Sequence, residues 1–369
     1  MVRCVDVAVV GAGFAGLACA RVTASRGLRT VVLDRKPDPG ASPHTTGLLV
    51  KEAADEWDVP RTITRKIRGI RLYSPSLSWI DLESPGYYFL ATDTPALLRW
   101  LASEAEISGA QIRCRTEYRG AVRVDGRIRL AAPDLEALML VGADGPRSRV
   151  ARDFGLGVNR SFLVGVEAEY EGVRDLPDDR LHCFLDSQLA AGYLAWVVPG
   201  VGCTQVGLAC RSPGRPRLDL FLRRVSKLCD FGRARLVGRR AGLIPVGGTV
   251  RPFGAANVLL TGDAAGLVSP LTAGGIHTAL HFGRRAAQAV SDFLLDGGLA
   301  PERALRREYP GFPWKRILRV ALDVRPPNRL LDLLLETPPL RALAQTVFFH
   351  HRGLFSPAAW LEFVHARGV

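Results

Sequence analysis

Several patterns that would assign the chain to a common class of protein are missing from its sequence. The seven cysteines are an odd number, and no two of them form a C-x-x-C pair. This spacing argues against a redox-active disulfide, a zinc ribbon and an iron–sulfur cluster, and it favours buried thiols in a reducing compartment. No stretch approaches the roughly 18–20 uninterrupted apolar residues of a membrane span. Because the chain opens directly into a strand-like run, without a signal-peptide pattern, we expect a cytoplasmic protein.

The signatures of several other enzyme classes are missing as well. No G-x-S-x-G motif indicates a serine hydrolase. His277 and His281 stand four residues apart, but no H-E-x-x-H motif or acidic ligand accompanies them, so no metal site is predicted. A second G-x-G-x-x-G is missing too, since Gly-Leu-Gly at residues 155–157 lacks a third glycine and a clear strand before it. Without a C-x-x-C pair or a dedicated NAD(P)H domain, the sequence argues against a disulfide reductase.

Lysine is scarce, although the chain is basic. Only five of the 49 basic residues are lysine, and 36 acidic residues leave a net charge of +13. The arginines are scattered along the chain, whereas a nucleic-acid site requires a clustered stripe with a recognisable motif. We therefore expect no nucleic-acid partner, while an acidic partner or an anionic membrane surface stays open.

The composition is that of an ordinary globular protein, with 47% hydrophobic and 23% charged residues. A length of 369 residues suits one large domain or two interleaved ones. The N-terminus predicts a βαβ unit, with a buried strand at residues 5–10, a helix at 15–26 and a second strand at 30–33. Further buried strands are predicted at residues 138–141 and 258–260, and a long helix at 274–295. Between them, residues 70–90 and 162–248 alternate in the manner of antiparallel strands.

The first chemical motif is Gly-Ala-Gly-Phe-Ala-Gly at residues 11–16, placed between the first predicted strand and helix. Gly11 allows the tight turn, Gly13 lets a pyrophosphate approach the backbone, and Gly16 lets helix and strand pack closely. Asp34 ends the second strand, where a carboxylate can bind a ribose hydroxyl or serve as a turn or capping residue. The motif in this context predicts a dinucleotide bound at the N-terminus of the helix.

Two further motifs pair glycine with aspartate at the ends of predicted strands. Asp144 lies in Gly-Ala-Asp-Gly at residues 142–145, and Asp263 lies in Thr-Gly-Asp-Ala-Ala at residues 261–265. The second of these continues into a glycine-containing segment at 269–276 that opens the long helix. A carboxylate that faces such a helix start suits a ribityl chain, and the helix dipole with its free N–H groups can stabilise negative charge on a reduced flavin.

In this order the three motifs resemble the FAD-binding set of the glutathione-reductase-like flavoproteins, in the branch of the aromatic hydroxylases and the geranylgeranyl reductases. The similarity is closer to the geranylgeranyl reductases, whose third motif resembles residues 262–278 and whose Gly-Leu-Ile-Pro-x-Gly-Gly segment resembles residues 242–248. The resemblance implies that the first motif binds the ADP half of FAD and that Asp263 binds the ribityl chain. The middle motif is linked in that branch to both FAD and pyridine nucleotide.

The resemblance and the motifs together predict a set of cofactor-binding residues. For Arg99, the alternative is that its side chain simply lies in solvent. The set is Gly11, Gly13, Phe14, Ala15, Gly16, Asp34, Arg35, Thr45, Thr46, Arg99, Asp144, Gly262, Asp263, Ala264, Pro270, Thr272, Gly274, Gly275 and Ile276.

The sequence departs from the family at two places near the expected flavin ring. A Cys-Gly-Gly-type segment of the family corresponds to residues 44–48, where threonine replaces the cysteine. The family's Tyr-x-Trp-x-Phe-Pro motif is matched by Trp196 and Pro199, but valine replaces phenylalanine and Tyr193 is one residue out of register. On a regular strand this shift would place Tyr193 on the other face. Thr46, Tyr193 and Trp196 are the predicted catalytic-pocket residues.

The predicted fold is α/β, with a Rossmann-like FAD-binding domain of the glutathione-reductase-2 type, an interleaved antiparallel-sheet substrate domain and a helical C-terminal region. The FAD-binding domain is predicted at residues 1–70, 91–155 and 256–298. The substrate-binding sheet is predicted at 71–90 and 156–255, and the helical region at 299–369.

Three functions stay open, and the resemblance ranks them. The first is FAD-dependent reduction of carbon–carbon double bonds in an isoprenoid or another apolar substrate, with NADPH or a reduced carrier protein as electron donor. The second is FAD-dependent monooxygenation of an apolar or aromatic substrate. The third is a non-catalytic FAD-binding redox module. An apolar lipid substrate also fits a position at the inner face of the membrane, and no oligomeric state is predicted.

Overall fold

A computed structural model of the chain describes residues 3–349, so the predicted helical segment at 350–369 lies outside the described residues. These residues form two compact units, each built from three separate stretches of chain. The first unit comprises residues 3–47, 93–163 and 242–321, and the second comprises 48–92, 164–241 and 322–349. Among the described helices, none combines the length and the apolar character needed to cross a bilayer.

The strands and helices are numbered in chain order. The strands are β1 (Arg3–Val10), β2 (Thr30–Leu33), β3 (Leu48–Val50), β4 (Thr64–Ile67), β5 (Gly69–Tyr73), β6 (Trp79–Glu83), β7 (Phe89–Thr92), β8 (Gln111–Arg113), β9 (Ala121–Val124), β10 (Arg127–Leu130), β11 (Leu135–Gly142), β12 (Phe162–Glu171), β13 (Arg180–Phe184), β14 (Ala195–Pro199), β15 (Thr204–Arg211), β16 (Arg235–Pro245), β17 (Gly254–Ala255) and β18 (Val258–Leu260). The helices are α1 (Phe14–Ser25), α2 (Lys51–Glu56), α3 (Thr94–Ile107), α4 (Arg149–Asp153), α5 (Leu218–Val225), α6 (Ile276–Asp296), α7 (Pro301–Ala304), α8 (Pro313–Asp323), α9 (Asn328–Leu334) and α10 (Pro338–Phe349).

The first unit is organised around a largely parallel sheet in the order β17-β18-β11-β1-β2-β8, with β10 and β9 attached to β11. Strand β1 pairs in parallel with both β11 and β2, so Val7 lies opposite Met139 on one side and Thr30 on the other. Such central strands are covered on both faces and therefore consist of nearly continuous apolar runs. The sequence of β1 has this pattern, and the strand is buried from Val7 to Val10.

Two helices of the first unit pack closely because glycine keeps their backbones together. Gly283 lies in α6, and a Cβ at this position would lie 2.5 Å from the carbonyl oxygen of Ala15 in α1. The long helix α6 ends at Asp296, followed by Gly297 in the left-handed conformation with φ of +66°. A left-handed glycine after the last turn is a common helix stop. The elements of the first βαβ unit lie close to their predicted bounds: β1 begins two residues earlier, α1 is shifted by one residue, and β2 matches.

The second unit contains a seven-stranded sheet in the order β16-β12-β15-β14-β13-β5-β6 and a three-stranded sheet, β3-β7-β4. In these sheets β14 is antiparallel to β13 and β15, β5 to β6, and β7 to β3 and β4, whereas β13 and β5 are parallel. Alternate side chains of the larger sheet enter two apolar clusters. One contains Ile70, Leu72 and Val198 together with residues of the small sheet and α10. The other contains Val197 and Val206 with Phe221 of α5.

The compact units divide the chain differently from the boundaries predicted by sequence. Residues 48–70 belong to the second unit, whereas the predicted division assigns them to the cofactor domain. Residues 242–255 belong to the first unit, and the predicted helical region is divided at residue 321. The assignment of cofactor binding to the first unit and substrate binding to the second stays a prediction.

Candidate functional site

The turn between β1 and α1 is shaped by three glycines with different surroundings. Gly11 has φ of +106°, and a Cβ there would lie 2.4 Å from the carbonyl oxygen of Ala143. A Cβ on Gly16 would lie 1.9 Å from the carbonyl oxygen of Gly11. Gly13 differs, because a Cβ there would meet nothing within 4 Å. Packing therefore requires glycine at positions 11 and 16, whereas Gly13 borders open space.

That open space lies at the N-terminus of α1, and its chemistry suits a phosphate. Gly13 is the N-cap residue, no side chain caps the helix, and its first turn contains no acidic residue. The first backbone N–H groups of a helix lack intrahelical acceptors and carry partial positive charge. A helix start of this kind binds the pyrophosphate of a dinucleotide. The cradle formed by residues 11–16 therefore fits the ADP half of FAD.

Asp34 fixes the loop on the other side of this cradle. Its Oδ2 accepts a hydrogen bond of 2.7 Å from the Ala12 backbone N–H, and its Oδ1 accepts one of 2.8 Å from the Lys36 N–H. A carboxylate has about four acceptor positions, so both oxygens retain capacity for a ribose hydroxyl. Asp34 thus holds the first motif against the end of β2, while its neighbour Arg35 is exposed.

Asp144 has one carboxylate oxygen that the protein satisfies and one that it does not. Its Oδ2 accepts hydrogen bonds from the backbone N–H groups of Arg149 at 2.7 Å and Val150 at 3.1 Å, the first residues of α4. Its Oδ1 is buried, and no donor among the described residues bonds to it. Buried acceptors in native proteins are nearly always hydrogen-bonded. The middle motif therefore has an acceptor that fits a hydroxyl of a bound cofactor.

Asp263 lies in the short 3-10 turn Gly262–Ala265, against both α1 and the start of α6. A Cβ on Gly262 would lie 2.6 Å from the Cβ of Ala15, and one on Gly275 would lie 3.6 Å from Asp263 Oδ1. Gly275 is the N-cap residue of α6 and has no side-chain cap. Burial raises the pKa of the Asp263 carboxyl to about 6. This carboxylate lacks the solvation that water would give it, and cofactor hydroxyls can supply that solvation.

Asn159 connects the second and third motifs, and sequence analysis did not identify it. Its Nδ2 donates to the carbonyl oxygens of Pro146 at 3.1 Å and Asp263 at 2.8 Å. Gly266, with φ of +70°, fits beneath it, because a Cβ there would lie 2.8 Å from Asn159 Oδ1. The two partners lie 13 and 104 residues away in sequence, so no local motif contains Asn159. The detectable signal is a single asparagine shortly after the middle motif.

The remaining predicted cofactor residues also lie in the first unit. Thr94 Oγ1 donates to the carbonyl oxygen of Thr46 at 3.4 Å, and the Gly47 N–H approaches Thr45 Oγ1 at 3.5 Å. Arg99 is exposed and forms an ion pair with Asp38 at 2.9 Å, and both alternatives for this residue stay predictions. Phe14, Ala15 and Gly16 form the first turn of α1, and Ala264, Pro270, Thr272, Gly274 and Ile276 line the approach to α6.

Tyr193 and Trp196, two of the three predicted catalytic-pocket residues, lie in the second unit. Tyr193 belongs to a turn before β14, where its N–H donates to the carbonyl oxygen of Ala190 at 2.9 Å. Because Tyr193 lies outside the strand, strand alternation does not determine its side, contrary to the expectation from sequence. Trp196 lies within β14, and its indole N–H donates to Glu167 Oε2 at 2.8 Å.

No group of three or more His, Cys, Asp or Glu side chains that could hold a metal occurs among residues 3–349. The rings of His277 and His281 lie 6.0 Å apart on α6, as their spacing in sequence requires.

Comparison with known proteins places the chain among flavoproteins. A family model described as FAD dependent oxidoreductase matches residues 6–94. Digeranylgeranylglycerophospholipid reductase 1 of Methanopyrus kandleri is 31% identical over 306 residues, which cover 77% of this chain and 79% of that protein.

Solved structures show the same fold. A geranylgeranyl bacteriochlorophyll reductase-like protein of Thermoplasma acidophilum superposes with a TM-score of 0.82 at 23% identity, covering 94% of this chain and 96% of that one. Aklavinone-11 hydroxylase, solved with FAD and aklavinone, superposes with a TM-score of 0.62 at 21% identity, covering 79% of this chain and 62% of that one. At these identities the likeness concerns the fold alone.

Proposed function

The chain belongs to the geranylgeranyl reductase family of FAD-dependent oxidoreductases, and from that premise we propose that it reduces carbon–carbon double bonds in an isoprenoid lipid. The supporting observation is its 31% identity with a digeranylgeranylglycerophospholipid reductase over 79% of that protein. Reduced FAD, when bound, supplies a hydride to one carbon of the double bond, and the other carbon takes a proton.

The residues of the first unit bind and orient this cofactor. The N-terminus of α1 holds the pyrophosphate, and the acceptors of Asp34 hold the adenosine ribose. Asp144 and Asp263 accept hydrogen bonds from cofactor hydroxyls, which replace the solvation that burial removes. The backbone N–H groups at the start of α6, next to Gly275, would supply partial positive charge to a reduced, anionic flavin.

Thr46 of the first unit stays a prediction from the sequence. Tyr193 and Trp196 of the second unit are proposed as pocket-wall residues for the apolar chain. The assignment is supported for Trp196 by its surroundings, since its ring packs against the apolar cluster that includes Leu72 and Val198. A large, amphipathic aromatic surface of this kind suits an isoprenoid chain. Their role is to align the double bond and exclude water, because hydride transfer requires close and ordered contact.

A lipid substrate requires access from a membrane surface, and α8 provides a suitable face. Trp314, Ile317 and Val320 follow one another at three-residue spacing and are 59%, 58% and 67% exposed. Lys315 and Arg316 flank them on the same helix. Apolar and aromatic side chains next to basic ones are characteristic of helices that lie in the interface of anionic membranes. Peripheral contact through α8 is therefore part of the proposal.

The test of the reductase function uses the purified flavoprotein, photoreduced without oxygen. Mixing it with a lipid that carries geranylgeranyl chains should reoxidise the flavin, seen as recovery of its visible absorbance. The product should gain two hydrogens per double bond by mass spectrometry. NADPH and a reduced carrier protein are then compared as electron donors in steady-state turnover. An inert lipid and an unchanged spectrum would contradict the proposed function.

The alternative function is FAD-dependent monooxygenation, a reaction for which the fold is equally suited, since aklavinone-11 hydroxylase shares it. The same preparation distinguishes it when isotopically labelled oxygen is admitted together with the substrate. A monooxygenase incorporates the label into product, whereas the reductase yields a hydrogenated product without label.

A further inference from the structure

The larger sheet of the second unit contains a group of buried charges that flavin binding does not require. Glu167 and Glu169 project from β12, and Arg240 projects from the neighbouring strand β16. Arg240 bonds to Glu169, and its Nη1 lies 3.8 Å from Glu167 Oε1. The side chains of Arg240 and Glu167 are only 8% and 5% exposed. Burial of charges is costly, and such pairs are often less stabilising than apolar residues of the same size.

The buried charges meet the ring of Trp196. The indole N–H donates to Glu167 Oε2 at 2.8 Å, although Trp196 is on β14 and Glu167 on β12, two strands away. The intervening strand β15 contributes Gly207, which is paired directly with Trp196. A Cβ on Gly207 would lie 2.6 Å from the indole ring. The ring therefore lies flat across β15 because glycine leaves room for it there.

Four consecutive strands thus determine the position of one aromatic ring. β14 carries Trp196, β15 provides the gap at Gly207, β12 provides the acceptor Glu167, and β16 provides Arg240 to compensate the charge of that acceptor. A hydrogen bond to an ionised acceptor is about twice as strong as one between neutral groups. An apolar contact alone would leave the ring free to change rotamer.

We propose that Glu167, supported by Arg240, is a positioning residue that fixes the plane of Trp196 and thereby sets which apolar chain the pocket accepts. The inference rests on the proposed function in one respect, namely that Trp196 borders the substrate. The fixed orientation of the ring itself depends only on the contacts described here.

The alternative is that the charges merely join β12 to β16. Glu171 offers a matched control, because it is on the same strand, four residues after Glu167, and pairs with Arg235 at 2.5 Å on an exposed part of the sheet. Glu171→Leu removes a strand-to-strand ion pair without touching Trp196. A linking role predicts similar consequences for both substitutions, whereas a positioning role predicts an effect for Glu167 alone.

The experiment combines fluorine NMR with steady-state kinetics on the full-length holoenzyme. The protein is labelled with 5-fluorotryptophan, and the Trp196 resonance is assigned by its absence from Trp196→Phe. Glu167→Leu should shift and broaden this resonance, Glu167→Gln should largely restore it, and Glu171→Leu should leave it unchanged. In turnover, Glu167→Leu should raise KM for prenyl lipids about tenfold with a smaller change in kcat. Flavin content should equal that of the wild type.

Gly207→Ala gives the same test without altering any charge. The added methyl group displaces the ring, so the resonance and KM should change as in Glu167→Leu, and this variant also serves if Glu167→Leu does not fold. An unchanged Trp196 resonance in both variants would overturn the inference, as would equal effects from Glu171→Leu. A resonance that moves while KM stays constant would show that Trp196 is not a pocket wall. Failure of the wild type to reduce any prenyl lipid would instead refute the proposed function, and the NMR result would stand independently.

Discussion

The two units build their candidate sites in different ways. In the first unit the candidate site is formed mainly by backbone turns, and glycines at positions 11, 16 and 262 let the motifs approach one another closely. In the second unit, side chains from separate strands meet over a flat sheet, as Trp196, Glu167 and Arg240 do. The first arrangement tolerates almost no added atoms, whereas the second depends on hydrogen bonds and charge. Substitutions should therefore affect cofactor binding in one unit and substrate selection in the other.

The largest effect is expected from Gly16→Ala. The added Cβ would lie 1.9 Å from the carbonyl oxygen of Gly11, and a backbone atom cannot move away as a side chain can. We expect a loss of about 3 kcal/mol or more in the free energy of unfolding and protein purified without flavin. Thermal denaturation and the visible spectrum measure both. Gly207→Ala, whose Cβ would lie 2.6 Å from the Trp196 ring in the second unit, should retain its flavin. Equal loss of flavin from both variants would contradict the assignment of cofactor binding to the first unit alone.

Gly13→Ala should separate cofactor affinity from stability. Its Cβ would meet no protein atom within 4 Å, so the apoprotein should lose only about 1 kcal/mol, consistent with alanine being a poorer N-cap. The methyl group would occupy the space at the start of α1 that the pyrophosphate needs. Titration of the apoprotein with FAD, followed by fluorescence quenching, should show at least about a tenfold higher Kd. An unchanged Kd would show that the pyrophosphate lies elsewhere.

Asp263→Asn should make the apoprotein more stable at high pH and should weaken its binding of FAD. Because burial raises the pKa of Asp263 to about 6, the folded apoprotein holds this proton more tightly than the unfolded chain does. The wild type therefore loses stability from this group as pH rises from about 4 to above 6, and the asparagine variant does not. At pH 8 we expect the apo variant to have a melting temperature a few degrees above that of the wild-type apoprotein. Near pH 4 the two melting temperatures should be equal.

The same substitution should weaken FAD binding at pH 8, because the carboxylate that accepts cofactor hydroxyl groups is gone. Equal melting temperatures for the two apoproteins at pH 8 would contradict the burial of the charge. Equal FAD affinities would contradict the assignment of Asp263 to the cofactor.

The smallest effect on FAD affinity is expected from Asn159→Ala, which removes the link between the middle and third motifs. Asn257 is a matched control in the same unit, since its Nδ2 also donates to two carbonyl oxygens, those of Gly126 and Leu138, both at 2.8 Å. Each alanine variant should lose about 1–3 kcal/mol of stability. Only Asn159→Ala should also raise the Kd for FAD, by about threefold to tenfold. Equal Kd values for the two variants would remove Asn159 from the cofactor site.

The sequence predicts the parts of this molecule whose causes are local. The βαβ unit, the strand Val258–Leu260 and the glycine stop of α6 depend on runs of a few residues, and each appears in the structure close to its predicted bounds. The same holds for the family and for FAD, because the three motifs that carry the resemblance are short local runs of residues.

What the sequence does not reveal depends on contacts between distant positions. Asn159 has no motif because its partners come from two other loops. Glu167, the hydrogen-bond acceptor of Trp196, is 29 residues away on a strand that does not pair with β14. Only the order of the strands in the sheet brings the two side chains together. The sequence predicts Tyr193 on a regular strand, whereas the chain is still turning there.

The division of each unit into three stretches of chain also determines the order in which the protein can be completed during synthesis. The first motif is made before the other two, yet its strand β1 pairs with β11, more than a hundred residues later, and Gly262 packs against Ala15 later still. Domains that depend on such distant contacts cannot finish folding until the late segments leave the ribosome. Until then the nascent chain carries the glycine turn for a nucleotide without the walls that would retain one. We therefore expect the flavin to bind only after segments from all three stretches of the first unit have been made.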